Sequence, residues 1–144
     1  MTESVFAMSP ALPDLIDRAG VVRLVDAFYD RVRADTILSP IFDGVAHVDW
    51  HRHLPKMYDF WESVLFGKNG FKGNPLVVHR ELARRAPMTT REFSRWLQLF
   101  HATVDALFAG PCADEAKLRA SRIAVVMQHH IAADRSSAVA TGST

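Results

Sequence analysis

The stretch GNPLVVHREL, residues 73–82, predicts a short helix that carries a histidine on its apolar side. The Asn-Pro pair at 74–75 is typical of a helix start, because Asn caps free backbone amides and Pro fits the first helical position. Leu76, His79 and Leu82 recur at helical spacing and therefore share one face. An imidazole on such a face needs a partner, since a buried polar group without one costs about 1–3 kcal/mol.

Length and composition indicate one globular domain in the 144 residues, 49% of which are hydrophobic. The net charge of +1 disfavours a dedicated nucleic-acid binder. The single cysteine, Cys112, excludes an internal disulfide and any zinc site built on two cysteines. The first residues show no signal-peptide pattern, and no apolar run reaches the roughly 20 residues that span a bilayer. A cytoplasmic protein with no membrane anchor is therefore expected.

The spacing of apolar residues is helical in most of the chain, and no segment alternates as a strand would. The fold class is therefore predicted to be all-α. We expect residues 1–20 to form an N-terminal extension, 21–131 a single domain and 132–144 a disordered tail. The long helices are predicted to cover approximately residues 21–35, 49–66, 90–108 and 114–131. Gly67 is a candidate cap at the end of the second helix, and Thr89 or Thr90, with Glu92 in the first turn, marks the start of the third.

Three more polar side chains lie on apolar helix faces, as His79 does. Tyr29, His53 and Trp96 all fall among apolar residues at helical spacing. Each alone is more often a core residue with one bonded polar tip than a ligand-binding residue. Together, the four residues come from four different predicted helices. Their convergence on a group that is not protein is the stronger interpretation.

The histidine spacing disfavours a zinc or di-iron site. His51 and His53 are separated by roughly 200° around a helix, and no His-x-x-x-His or Glu-x-x-His pattern occurs. Haem iron needs only one axial imidazole from the protein, because the macrocycle supplies the other nitrogens. A flat apolar ring also favours aromatic walls, which the sequence offers in Phe28, Phe42, Phe60, Trp61 and Phe100.

Six short motifs follow one another over most of the chain, from about residue 21 to 128. They are Phe28-Tyr29, Pro40-Ile41-Phe42, Trp50-x-x-His53, Phe60-Trp61, Gly73-Asn74-Pro75-Leu76-x-x-His79 and Phe93-x-x-Trp96-Leu97-x-Leu99-Phe100. In this order they resemble a truncated haemoglobin, and within that family group III. The resemblance implies a two-over-two helical sandwich around haem b.

The resemblance also implies roles for individual residues. His79 would be the proximal iron ligand, and Tyr29, His53 and Trp96 would line the distal side. The residues packed against the ring would be Phe42, Met57, Phe60 and Trp61. Pro55 follows His53 closely and removes a backbone donor, so His53 is expected either to face the ligand or to swing outward as a gate.

The expected function is binding of dioxygen and other small diatomic ligands, with tight retention for redox chemistry or sensing. The hydroxyl of Tyr29 can donate or accept a hydrogen bond, and the indole of Trp96 can donate one. One alternative is an enzyme that removes nitric oxide or peroxide with electrons from a reductase, by dioxygenase or peroxidase-like chemistry. Another is a haem-free helical regulatory domain. The expected partners are small gases or peroxide, without nucleic acid or membrane, for a monomer or weak dimer.

Overall fold

The structure, a computed structural model, describes residues 11–45, 49–67 and 88–142, and it describes their side chains except at 43–45 and 135–142. Four α-helices and one short π-helical turn make up the described part, and no strand occurs in it. In chain order the elements are α1 (Arg18–Ala34), the π-helical turn (Pro40–Val45), α2 (Trp50–Phe66), α3 (Thr90–Leu107) and α4 (Pro111–Gly142).

Helix α1 begins at Arg18, three residues before the expected start at Val21. Asp17 is the reason, because its carboxylate accepts a hydrogen bond at 2.9 Å from the amide of Gly20 and so caps the first turn. The buried face of the helix repeats at helical spacing and consists of Val21, Leu24, Val25, Phe28, Tyr29 and Val32.

Helix α2 has nearly the predicted bounds. It ends at Gly67, whose φ of 70° is the left-handed conformation that favours glycine at a helix end. Pro55 lies inside the helix and does not delay it, since the helix begins five residues earlier at Trp50. His53 therefore belongs to regular helix and lies one turn from Trp50.

Helix α3 starts as predicted from its capping residues. The carboxylate of Glu92 accepts hydrogen bonds from the amide of Thr89 at 2.8 Å and from its hydroxyl at 2.7 Å. This arrangement satisfies groups that the first turn of a helix leaves unpaired. It also fixes Glu92 on the inner side of the helix, where it is buried.

Helix α4 is longer than predicted at both ends. It starts with Pro111 in place of Asp114, and it continues to Gly142 where a disordered tail was expected from residue 132. The polar composition of the tail favoured disorder. However, no proline or glycine interrupts the sequence between Pro111 and Gly142, and alanines are frequent, so helical propensity is maintained.

The helices form two layers of two. Helix α1 packs on α2, and α3 packs on α4, while α1 against α3 and α2 against α4 join the two pairs. This arrangement confirms the predicted all-α two-over-two fold. None of the helices in the described ranges is long and apolar enough to cross a bilayer.

Candidate functional site

A cavity of about 60 Å³ lies between the two helix pairs. Most of the wall is apolar, and Tyr29 and Glu92 contribute its most polar side chains. Besides residues already predicted for a site, the wall includes Leu38, Ile41, Met88, Phe93, Ile123 and Met127.

Six residues predicted for the site lie together on the wall of this cavity. They are Tyr29, Phe42, Met57, Phe60, Trp61 and Trp96. They come from α1, the π-helical turn, α2 and α3, so only the tertiary fold brings them together. Five of the six carry aromatic rings, all except Met57, and these rings give the cavity flat walls.

Phe28 and Phe100, also predicted to bind the cofactor, lie behind the wall and do not line the cavity. Phe100 is completely buried, and its ring stacks on Trp61 at 4.8 Å and on Trp96 at 5.6 Å between centroids. Phe28 meets Phe100 edge to face at 5.2 Å. Both phenylalanines therefore support the tryptophans that form the wall.

Tyr29 places a phenol at the cavity. The side chain is 7% exposed, and burial raises its pKa well above the ordinary value, so the hydroxyl keeps its proton at neutral pH. Burial is the cause of this shift, and no hydrogen bond of the hydroxyl contributes to it. A phenol can donate one hydrogen bond, and Tyr29 lines the cavity.

His53 packs against Tyr29 and is not part of the cavity wall. Its ring lies edge to face with Tyr29 at 5.3 Å and with Trp50 at 5.6 Å. Trp50 in turn lies 5.2 Å from Tyr29 and 5.9 Å from Phe42. We call these four residues the aromatic cluster. In this structure the imidazole is directed into the cluster and half-buried.

Glu92 brings a carboxylate to the other side of the cavity. Burial by itself would raise its pKa, but the hydroxyl and amide of Thr89 and the nearby charge of Arg91 together lower it. The carboxylate is therefore ionised at neutral pH and is already engaged by the start of α3. We assign Glu92 to helix capping, with its charge adjoining the cavity.

His79, the residue on which the sequence argument began, lies outside the described residues, as does the whole stretch 73–82. Two residues that the structure brings to the site were not singled out for it by the sequence. Trp50 was noted only as part of a motif, and Glu92 only as a capping residue. Their helical spacing to His53 and Trp96 was the available signal, since each lies one turn away.

The family follows from comparison with known proteins. A family model of bacterial-like globins matches residues 14–132, which is most of the chain. The chain therefore belongs to the bacterial-like globin family. Membership of this family implies a haem-binding globin.

Individual relatives refine the family assignment. The chain is 31% identical to the group 3 truncated hemoglobin ctb of Campylobacter jejuni over 98 residues, which cover 66% of this chain and 75% of the relative. The crystal structure of group III truncated hemoglobin from Campylobacter jejuni superimposes with a TM-score of 0.72 at 28% identity, over 81% of this chain and 91% of that chain. The predicted resemblance to group III truncated haemoglobins is confirmed.

A second solved structure is similar over nearly its full length. The truncated oxygen-avid haemoglobin of Bacillus subtilis matches with a TM-score of 0.65 and 26% identity, covering 78% of this chain and 93% of that chain. Both structural matches agree with the two-over-two arrangement of the helices.

The cavity fits the cofactor that the family implies. Haem is a flat ring with a largely apolar body, and the cavity is lined by aromatic and aliphatic side chains. Tyr29 lies on the same wall and would offer a hydroxyl donor to a group bound there. The donor set of this chain is thus compatible with haem.

Proposed function

We propose that the chain binds haem b in this cavity, with His79 as the proximal ligand of the iron, and retains a small diatomic ligand next to Tyr29 and Trp96. The observation that carries the proposal is a buried phenol at the wall of an aromatic cavity, with a pKa that burial alone raises and no hydrogen bond alters. A structural tyrosine normally bonds its tip to a carbonyl or carboxylate. Burial alone raises the pKa of Tyr29, with no hydrogen bond contributing, and the residue lines the cavity.

When bound, haem supplies an iron that coordinates a small ligand, and the rest depends on protein side chains. Tyr29 donates a hydrogen bond to charge that develops on the ligand, because its raised pKa keeps the proton on the phenol. The indole N–H of Trp96 is a second donor from the opposite pair of helices. Apolar walls exclude water, which would otherwise compete for these hydrogen bonds.

Two fixed donors in an apolar cavity slow the release of a polar ligand. Retention of this kind suits redox chemistry or sensing better than transport, since a carrier must release its ligand readily. A reaction with nitric oxide or peroxide that depends on a reductase stays a prediction. Its test is turnover with a biological electron donor, as distinct from ligand binding alone.

Absorption spectroscopy tests the proposal directly. The purified chain supplied with haem should show a Soret band and lose haem slowly to an excess of an acceptor apoprotein. His79→Ala should release haem much faster, because the proximal iron bond is removed. His51→Ala is the matched control, since His51 is an exposed histidine on α2. A His79→Ala protein that retains haem as tightly as the control would contradict the assignment of the ligand.

A further inference from the structure

Trp50 occupies a position between the buried and the exposed part of the site. On its inner side its ring contacts Tyr29 at 5.2 Å, His53 at 5.6 Å and Phe42 at 5.9 Å. On its other side the guanidinium carbon of Arg33 lies 5.0 Å from the centre of the same ring. Trp50 therefore links a surface cation to the residues at the cavity.

Helical spacing produces this arrangement. Tyr29 and Arg33 are four residues apart on α1 and so lie on one face, with Arg33 one turn nearer the helix end. Trp50 and His53 are likewise one turn apart at the start of α2. Where the two helices meet, Trp50 lies against both residues of the α1 face.

Within the aromatic cluster, Trp50 and Tyr29 each contact all three other members, and Trp50 is the one of the two that does not line the cavity. The ring of His53 has Tyr29 and Trp50 as its aromatic neighbours, so the orientation of the imidazole depends on Trp50. Edge-to-face and tilted aromatic pairs have preferred geometries and add stabilisation beyond buried area. Trp50 is thus the group that holds the phenol and the imidazole in one arrangement.

We propose that Trp50, held in place by Arg33, is a positioning residue that fixes Tyr29 and His53 and limits the exchange of ligand and water between solvent and the cavity. This inference rests on the proposed function and extends it to two residues outside the cavity wall. Arg33 acts through Trp50, because a cation over an indole face is attracted by the ring. Trp50 does not itself line the cavity, and it acts through its contacts with the wall residues Tyr29 and Phe42.

Three variants separate the contributions. Trp50→Ala removes the ring, Trp50→Phe keeps an aromatic face, and Arg33→Met removes the charge while keeping an unbranched side chain. Arg23→Met is the matched control, because Arg23 is another exposed cation of α1 and lies 5.7 Å from the ring of Phe108, away from the cavity.

The probe is carbon monoxide bound to the haem-loaded chain, followed by its dissociation rate and its infrared stretching band. Trp50→Ala should speed dissociation roughly tenfold, as loss of the aromatic contacts frees the phenol. Arg33→Met should speed it roughly two- to fivefold, the size expected for an exposed cation–π contact. Trp50→Phe should keep the dissociation rate close to that of wild type, and Arg23→Met should leave the dissociation rate unchanged.

The infrared band distinguishes positioning from general loosening. A donor fixed beside carbon monoxide lowers its stretching frequency, so wild type and Trp50→Phe should show one dominant low band. Trp50→Ala should add a higher band from molecules in which Tyr29 has turned away. Arg33→Met should add a smaller one, and since this residue is at the surface, that variant is expected to fold.

The outcomes are separable from those for haem binding. A wild-type chain that takes up no haem overturns both this inference and the proposed function. Haem-loaded Trp50→Ala and Arg33→Met proteins with wild-type rates and a single low band would overturn the inference alone. Equal acceleration by Arg33→Met and Arg23→Met would also overturn it, because the effect would then not depend on Trp50.

Discussion

Two regions of the molecule differ in how their polar groups are hydrogen-bonded and in how densely their side chains are packed. At the junction between the N-terminal segment and α4, the carboxylate of Asp14 accepts hydrogen bonds from the amides of Leu15, Cys112 and Ala113 at 2.8, 3.1 and 2.9 Å. Leu15 beside it is completely buried, and a Cβ added to Gly110 would approach Asp14 Cγ to 2.5 Å. This junction has no room and no unused hydrogen-bonding group on Asp14.

The cavity shows the reverse. Burial alone raises the pKa of Tyr29, with no hydrogen bond contributing, and the wall around it encloses space rather than packed side chains. Satisfied polar groups and dense packing stabilise a fold, while an available donor and a hollow lower its stability and allow binding. The difference indicates that the junction serves stability and the cavity serves ligand binding.

The largest expected effect comes from Phe100, which separates the cavity wall from the core. Phe100→Ala should lower the free energy of unfolding by about 3–5 kcal/mol, because a fully buried ring is lost and Trp61 and Trp96 lose their stacking partner. Urea unfolding measures the loss. Leu118→Ala is the control, since Leu118 is 44% exposed and should change stability little. A small effect at Phe100 would mean that the wall does not depend on the core behind it.

The next effect concerns the packed junction. Gly110 has a φ of 138°, and Gly110→Ala should destabilise the fold by roughly 1–3 kcal/mol from backbone strain alone, with the contact to Asp14 adding to it. Gly67→Ala is a matched control, because Gly67 also has a positive φ but no atom within 4 Å of an added Cβ. Thermal unfolding of both variants should show the larger loss for Gly110→Ala. Equal losses would show that the junction can relax.

The two tyrosines sharpen the comparison further. Tyr29→Phe should speed ligand dissociation from the haem-loaded chain by about tenfold, as one hydrogen bond to the ligand is lost, with little change in stability. Tyr58 donates its hydroxyl hydrogen bond to Asp26, away from the cavity wall. Tyr58→Phe should therefore lower stability by about 1 kcal/mol and leave the dissociation rate unchanged. Stopped-flow mixing measures the dissociation rate and urea unfolding measures the stability of both variants. A faster rate in Tyr58→Phe, or an unchanged rate in Tyr29→Phe, would contradict these expectations.

The smallest expected effect is a dependence of the free energy of unfolding on pH, which arises from Asp14 at the junction. Burial alone would raise the pKa of Asp14, but the amides of Cys112, Ala113 and Leu15 lower it below the ordinary value. Because the pKa of Asp14 is lower in the folded than in the unfolded protein, its ionised carboxylate stabilises the fold at pH values above the unfolded-state pKa of about 4. This stabilisation is lost as the pH falls through the lowered pKa of the folded state.

Asp14→Asn should therefore remove about 1 kcal/mol at neutral pH and make stability less sensitive to acid below pH of about 4. Asp105→Asn is the control, because Asp105 forms an exposed ion pair with Lys117 and should matter little. Urea midpoints measured from neutral pH into acid test this. A variant with the same acid sensitivity as wild type would exclude Asp14 as a source of the dependence.

Local sequence patterns predicted much of the fold. The bounds of α2 and α3 followed from Gly67 and from the Thr89–Glu92 pair, because helix ends are set by groups that lie within one turn. The start of α4 was missed by three residues for the opposite reason. Its first amides are capped by Asp14, which is 98 residues away from Cys112 in the chain. No local pattern contains that partner.

Local patterns likewise predicted one part of the candidate site and missed another. Spacing of apolar residues was enough to bring Tyr29, Met57, Phe60, Trp61 and Trp96 to the interior, since a helix places every third or fourth residue on one face. It did not distinguish a ring on the wall from one behind it. Phe28 and Phe100 share those inner faces, yet they lie behind the wall.

The sequence by itself determined the helices, their inner faces and the group of globins to which the chain belongs, because these depend on residues near one another or on motif order. The tertiary structure decided which rings enclose the cavity, that His53 packs against Trp50, and that Arg33 covers Trp50 from outside. These contacts depend on the depth and angle at which α1, α2 and α3 meet. Packing of whole helices sets those quantities, and no single stretch of sequence encodes them.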